Sequence, residues 1–163
     1  MAKDDKRIFA DSSRCLACRA CEIACALCHS ECAEVTEAVL EQPRARPRVV
    51  VRETKGKIAP VQCMQCARPK CVEACEAGAL TKDEESGLVV LDEGKCTGCW
   101  SCVEACPFHA IHADEERGVA CKCDICGGDP ACVAACPTGA LFFGTRGEFR
   151  ARSAEREPVT SGD

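Results

Sequence analysis

CTGCWSCVEACPFHAI, residues 96–111, holds four cysteines in eleven positions and a proline directly after the last. Three related stretches surround it. CLACRACEIAC supplies Cys15, Cys18, Cys21 and Cys25; CMQCARPKCVEAC supplies Cys63, Cys66, Cys71 and Cys75; CDICGGDPACVAAC supplies Cys123, Cys126, Cys132 and Cys136. With Cys96, Cys99, Cys102 and Cys106 they make four groups. The first and third read C-x2-C-x2-C-x3-C, and the second and fourth widen the gap before the third cysteine.

The rest of the composition explains why cysteine matters so much. Of 163 residues 19 are cysteine, while the chain has five Phe, one Trp and no Tyr. Hydrophobic residues make up 47% of the sequence, but cysteine is about a quarter of them. So few large apolar side chains cannot easily offset the entropy of ordering the chain, so a staple is needed. Disulfides are one staple and metal is another. The N-terminal MAKDDKRIFADSSR shows no apolar core or cleavage site of an export signal and no twin arginine, which favours a reducing, cytoplasmic setting and therefore metal or redox chemistry. No apolar run approaches the roughly 20 residues that span a bilayer.

Four thiolates suit tetrahedral zinc or an iron–sulfur cluster. Zinc usually draws on two separated C-x2-C pairs. A third cysteine close behind the second lets one loop wrap a corner of a bulky cubane and offer three sulfurs to three irons. C-x2-C-x2-C-x3-C-P is the bacterial [4Fe–4S] run whose fourth cysteine reaches the other cluster in two-cluster proteins. Cys102 and Cys106 are then one helical turn apart, and Pro107, lacking an N–H, turns the chain out of the helix.

A second repeat follows the cysteines. EAGAL follows Cys75, PFHAI follows Cys106 and PTGAL follows Cys136. The first two lead through DEESG or DEERG turns into LVVL or VAC, a strand–turn–strand pattern before the next cysteine loop. The expected fold is α+β: duplicated bacterial-ferredoxin-like modules, with short helices and small antiparallel strand pairs built around the clusters. Residues 1–145 form this domain, with an inserted segment at about 28–60, and residues 146–163 form a polar, flexible tail. The insertion contains ECAEVTEAVLE, a short helix, and PRARPRVVVR, read as a solvated excursion or as a docking surface of Arg44, Arg46 and Arg48.

From RIFAD to the last GALFFG, residues 7–145, the sequence resembles the four-cluster ferredoxin-type electron-transfer subunits of dimethyl sulfoxide reductase, formate hydrogenlyase and anaerobic carbon monoxide dehydrogenase. The small subunits of tungsten aldehyde oxidoreductases are similar, and RIFADSSRCLACRACEIACALCHS is most like the carbon monoxide dehydrogenase and aldehyde oxidoreductase partners. The resemblance implies a nested ligand pattern. Cys15, Cys18 and Cys21 share a cubane with Cys136, and Cys123, Cys126 and Cys132 share one with Cys25. Cys63, Cys66 and Cys71 take Cys106, while Cys96, Cys99 and Cys102 take Cys75. Ala26 and Glu76 stand where the family has proline after the fourth cysteine. Cys28, Cys32 and Cys121 are left over and are expected to pack as small apolar residues.

Four clusters with every iron held by thiolate leave no open coordination position, so the expected role is electron relay with no catalytic residue. No dinucleotide or phosphate-binding glycine loop is present. The expected partners are a catalytic oxidoreductase subunit of carbon monoxide dehydrogenase, tungsten aldehyde oxidoreductase or hydrogenase type, and a flavin- or nicotinamide-linked reductase. Self-association through terminal clusters is a further option. A freestanding soluble polyferredoxin is the alternative, followed by a structural zinc or redox-sensing protein. The net charge of −5, made more negative by cubanes, argues against nucleic acid. Trp100 is expected to shield a cluster, and His29, His109 and His112 are not needed as ligands.

Overall fold

A computed structural model of the protein describes residues 6–32, 34–54 and 56–154. Among them the backbone forms four separate two-stranded antiparallel sheets joined by short helices, the expected α+β arrangement. The order is β1 (Arg7–Ala10), α1 (Ala20–Cys28), α2 (Val35–Ala38), β2 (Val50–Thr54), β3 (Lys57–Val61), α3 (Lys70–Glu73), β4 (Leu80–Lys82), β5 (Val89–Leu91), α4 (Ser101–Ala105), β6 (Ile111–Asp114), β7 (Val119–Lys122), α5 (Ala131–Ala134), β8 (Leu141–Gly144) and α6 (Arg146–Ala154).

The two charged turns make the β4–β5 and β6–β7 hairpins. In the first, the Asp83 carboxylate accepts from the Ser86 N–H at 2.5 Å; in the second, Asp114 accepts from the Arg117 N–H at 3.2 Å. Each turn ends on a glycine in the left-handed region, Gly87 and Gly118, where a side chain would be strained. The β1–β8 pair joins the two ends of the domain, with Ile8 opposite Phe143 and Ala10 opposite Leu141.

The core is divided in two. Ile8, Val49, Val51, Ile125 and Leu141 gather with Cys21, Cys25, Cys63, Cys123 and Cys132. Leu80, Val89, Ala110, Ile111 and Ala120 gather with Cys71, Cys102 and Cys106. The aliphatic residues that close the EAGAL, PFHAI and PTGAL repeats, Leu80, Ile111 and Leu141, are among the most deeply buried side chains. Each half therefore has only a handful of aliphatic anchors, and thiols fill the remainder.

Two stretches behave differently from the sequence expectation. The segment at 28–60 is anchored, because Val49 and Val51 enter the first core and the Glu22 carboxylate accepts the Val51 N–H at 2.6 Å. Residues 146–154, expected to be a flexible tail, form α6. Thr145 and Glu148 cap its start reciprocally, the Thr145 N–H donating to the carboxylate at 2.7 Å and the Glu148 N–H to the hydroxyl at 3.3 Å. Phe149 stacks on Phe9 at 5.0 Å between ring centroids, and Arg152 lies over Phe142. One aromatic residue in a polar sequence anchors the helix; the rest of the expected tail, 155–163, lies outside the described residues.

Candidate metal centres

Each cysteine group is shaped by the same two local devices. The residue just before the second cysteine is left-handed in all four loops: Ala17, Gln65, Gly98 and Ile125. Only one is glycine, so the other three hold a conformation that costs energy away from a site that requires it. The bend turns the two thiols of C-x2-C to one side. The third and fourth cysteines are then spaced one helical turn apart across α1, α3, α4 and α5. A further left-handed residue, Gly78, His109 or Gly139, follows three positions after Cys75, Cys106 and Cys136 and swings the chain into the next strand.

Helix packing brings distant groups together. α1 packs on α5, and α3 packs on α4. Cys15, Cys18, Cys21 and Cys136 line one small, mainly apolar cavity with Leu16, Val51 and Leu141. Cys75, Cys96, Cys99 and Cys102 line another with Leu80, Leu91 and Trp100. Cys71 lies within electrostatic reach of Cys63 and Cys106, and Cys63 within that of Cys66. Cys132 is within reach of Cys123, Cys25 and Cys126, and also of Cys21. The donors are thiols, half of them buried, with Cys18 and Cys99 at the surface, and thiols gathered from several loops are the donor type that [4Fe–4S] clusters take.

Burial pushes the Cys21 and Cys71 thiols up to about 11, and Cys123 and Cys132 up to about 12. Neighbouring thiols add to the rise, so iron must displace protons on binding. Cys25 is the exception among the buried set. Burial opposes its thiolate, but a hydrogen bond with His29 and the Arg48 backbone N–H, 3.2 Å from Sγ, hold it below the usual thiol range. Backbone N–H groups also donate to sulfur at 3.4 Å from Leu80 to Cys75, Ala110 to Cys106, Ala120 to Cys96 and Ile125 to Cys123. Such bonds stabilise charge on sulfur and set cluster potential.

The leftover cysteines divide. Cys121 is buried, as expected for a packing residue, whereas Cys28 is exposed and Cys32 half-buried. Cys28 lies beside Cys126, whose thiol burial and neighbours raise to about 11. His29, Asp124 and Cys126 present ligand atoms within 4.8 Å of one another. His29, however, directs one ring nitrogen to the Cys25 carbonyl at 2.7 Å and the other to the Asp124 carboxylate at 3.3 Å. Asp124 and Cys25 raise it to about 10, so both nitrogens carry protons and neither offers a lone pair. Arg46 pairs with Glu116 at 3.5 Å and Arg48 with Asp124 at 2.5 Å. Trp100, left-handed at the start of α4, sits against the Cys99 cavity.

Two buried polar positions near the cysteine loops escaped the sequence. Gln65 and Lys122 are polar, buried and placed between the two cores. Nothing in their local pattern marks them, because their partners, Val89 and Cys123, lie on other elements or are backbone atoms.

Comparison with known proteins agrees with this chemistry. The chain is 39% identical over 141 residues to the thiosulfate reductase electron transfer subunit PhsB of Salmonella typhi, covering 82% of this chain and 72% of that protein. It is 33% identical over 175 residues to the electron transport protein HydN of Escherichia coli (strain K12), covering 94% and 96%. It is 38% identical over 119 residues to the NADH-dependent phenylglyoxylate dehydrogenase subunit beta of Aromatoleum evansii, 72% of this chain but only 27% of that protein. It likewise spans 21% of the putative oxidoreductase UacF of Escherichia coli (strain K12). No helix among the described residues is long and apolar enough to cross a membrane. A family model, the 4Fe-4S dicluster domain, matches residues 54–146, and with thiols gathered from all four cysteine groups the chain belongs to that iron–sulfur family and carries [4Fe–4S] clusters.

Proposed function

We propose that the chain is a non-catalytic electron-transfer subunit holding four [4Fe–4S] clusters in the nested sets. Cys15, Cys18, Cys21 and Cys136 hold one; Cys25, Cys123, Cys126 and Cys132 a second; Cys63, Cys66, Cys71 and Cys106 a third; Cys75, Cys96, Cys99 and Cys102 the fourth. When bound, each cluster supplies reversible one-electron transfer. The observation that carries the proposal is the packing of α1 on α5 and α3 on α4, which brings widely separated cysteine groups together and supports the pairing of the first group with the fourth and of the second with the third. Four protein thiolates per cubane leave no iron free for substrate, so chemistry belongs to a partner.

Of the sixteen proposed ligands, Cys18 and Cys99 are the exposed ones; they fall in two different sets, which we take as the terminal ones, where electrons enter and leave. The partner is a catalytic oxidoreductase subunit of the carbon monoxide dehydrogenase, tungsten aldehyde oxidoreductase or hydrogenase class, with a flavin- or nicotinamide-linked reductase at the other end. HydN and PhsB are named for electron transport and transfer, which supports the relay. A cytoplasmic setting fits a protein whose many thiols must stay reduced.

The test is anaerobic isolation of the native protein with mass spectrometry of what copurifies, together with iron and sulfide analysis. About 16 iron per chain and a stoichiometric catalytic subunit are expected. Two cubanes' worth of iron would refute the four sets. Isolation alone, with clusters intact and reducible, would instead favour a freely diffusing polyferredoxin.

A further inference from the structure

Lys122 closes β7 and is only 3% exposed. Its ammonium donates to the carbonyl oxygens of Val89 at 2.5 Å and Cys123 at 2.7 Å. Among the described residues no carboxylate lies within ion-pair distance of it. A buried cation without an anionic partner is costly, and two carbonyl dipoles do not neutralise it. The compensating negative charge must come from elsewhere nearby.

Its surroundings supply one source. Lys122 opposes the effect of burial on Cys63 and Cys71, in one proposed set, and on Cys123, in another. Cys63 and Cys123 also act on each other electrostatically, so these two sets adjoin across the junction between the halves of the fold. Gln65, from the loop between Cys63 and Cys66, donates to the same Cys123 carbonyl at 3.0 Å. These three thiols belong to the two sets other than those of the exposed Cys18 and Cys99. A cubane held by four thiolates is a dianion when oxidised and gains a further negative charge on reduction. A fixed cation favours the more negative state, most strongly where water is excluded.

We propose that Lys122 is a positioning residue for charge, the shared counter-cation of the two inner clusters, and makes them easier to reduce than they would be without it while leaving the terminal two nearly unaffected. An electron crossing the chain then meets a favourable interior stretch in place of a barrier created by closely spaced anions. The proposal rests on the ligand sets given above.

The experiment is a redox titration of the anaerobic holoprotein followed by electron paramagnetic resonance, with iron analysis of every variant. The four signals are first assigned with Cys18→Ser, Cys99→Ser, Cys66→Ser and Cys126→Ser. In Lys122→Met, the signals assigned through Cys66 and Cys126 should become at least tenfold harder to reduce, about 59 mV for one electron. Those assigned through Cys18 and Cys99 should hold still, and Lys122→Arg should restore the inner pair. If Lys122→Met loses iron, Lys122→Gln provides the second variant: a neutral side chain that can still donate to a carbonyl should shift the same two signals in the same direction. Serine variants that each perturb the wrong cluster would overturn the ligand sets. A correct assignment with inner potentials unmoved, or with all four moved equally, would overturn the role of Lys122.

Discussion

Replacing Gln65 with Leu tests whether the junction between the halves is held by one buried amide. Gln65 is 1% exposed, and its Oε1 accepts the Val89 N–H at 2.8 Å while its Nε2 donates to the Cys123 carbonyl at 3.0 Å. Leucine conserves most of the volume and removes both bonds. The two ends are not equivalent. The Cys123 carbonyl keeps the Lys122 ammonium at 2.7 Å, so the loss there is an ordinary hydrogen bond, about 0.5–1.5 kcal/mol. The Val89 N–H has its bond to Gln65 and is left orphaned, at about 1–3 kcal/mol. If that orphan cost appears as easier local opening, the Val89 amide exchanges about 5- to 150-fold faster. Hydrogen exchange with mass spectrometry on the anaerobic holoprotein reads this without global unfolding. Gln65→Ala is the companion. Gln65 and Val89 line a common cleft, so water admitted by the smaller side chain can reach the freed N–H and soften the loss. Exchange of the Val89 segment unchanged within about twofold in Gln65→Leu, with iron content intact, would refute the bridging role.

Two further outcomes follow from particular geometry. Gly98, left-handed, would place an added Cβ 2.7 Å from the Gly118 carbonyl oxygen, whereas an added Cβ at Gly118 meets nothing within 4 Å. Gly98→Ala should therefore lose about one cluster's worth of iron, while Gly118→Ala keeps its iron and loses about 1–2 kcal/mol from backbone strain alone; equal iron in both would contradict the clash. For pH, His29 is raised from 6.5 to about 10 by Asp124 and Cys25. Its contribution to stability is complete below pH 6.5 and is lost as pH rises through about 10. Asp124 is depressed; burial opposes this but His29, the Cys126 N–H and Arg48 prevail, so its contribution is lost in acid. Cluster bleaching followed by visible absorbance should accelerate between neutral pH and pH 10 in the native protein. The acceleration should be smaller in His29→Gln, and an identical pH profile would show that the imidazolium contributes nothing.

Much of the architecture was legible because iron–sulfur motifs are local. The i, i+4 spacing of Cys102 and Cys106 predicts a helical turn, and Pro107 its end. The DEESG and DEERG turns announce their hairpins, with β-forming residues on either side. Leu80, Ile111 and Leu141 close a repeat visible in the sequence, where each marks the start of a short strand. The surroundings of PRARPRVVVR were not legible, because they depend on distant segments. Arg46 and Arg48 are drawn into ion pairs by Glu116 and Asp124, residues more than sixty positions away. The helical end at 146–154 was hidden for a related reason: Phe149 is one aromatic in a charged stretch, and its value depends on Phe9 at the other end of the chain.

The sequence by itself determined the cofactor chemistry, the four loops and the duplicated strand–turn–strand modules. Cysteine spacing and turn residues act within a few positions of one another, so their consequences are written in the local chain. Only the tertiary structure decided that α1 packs on α5 and α3 on α4, which backbone N–H groups meet sulfur, and that Gln65 and Lys122 meet at the junction of the halves. Those outcomes depend on packing and electrostatics between segments far apart in the chain, where the dry interior magnifies a charge that would count for little in water.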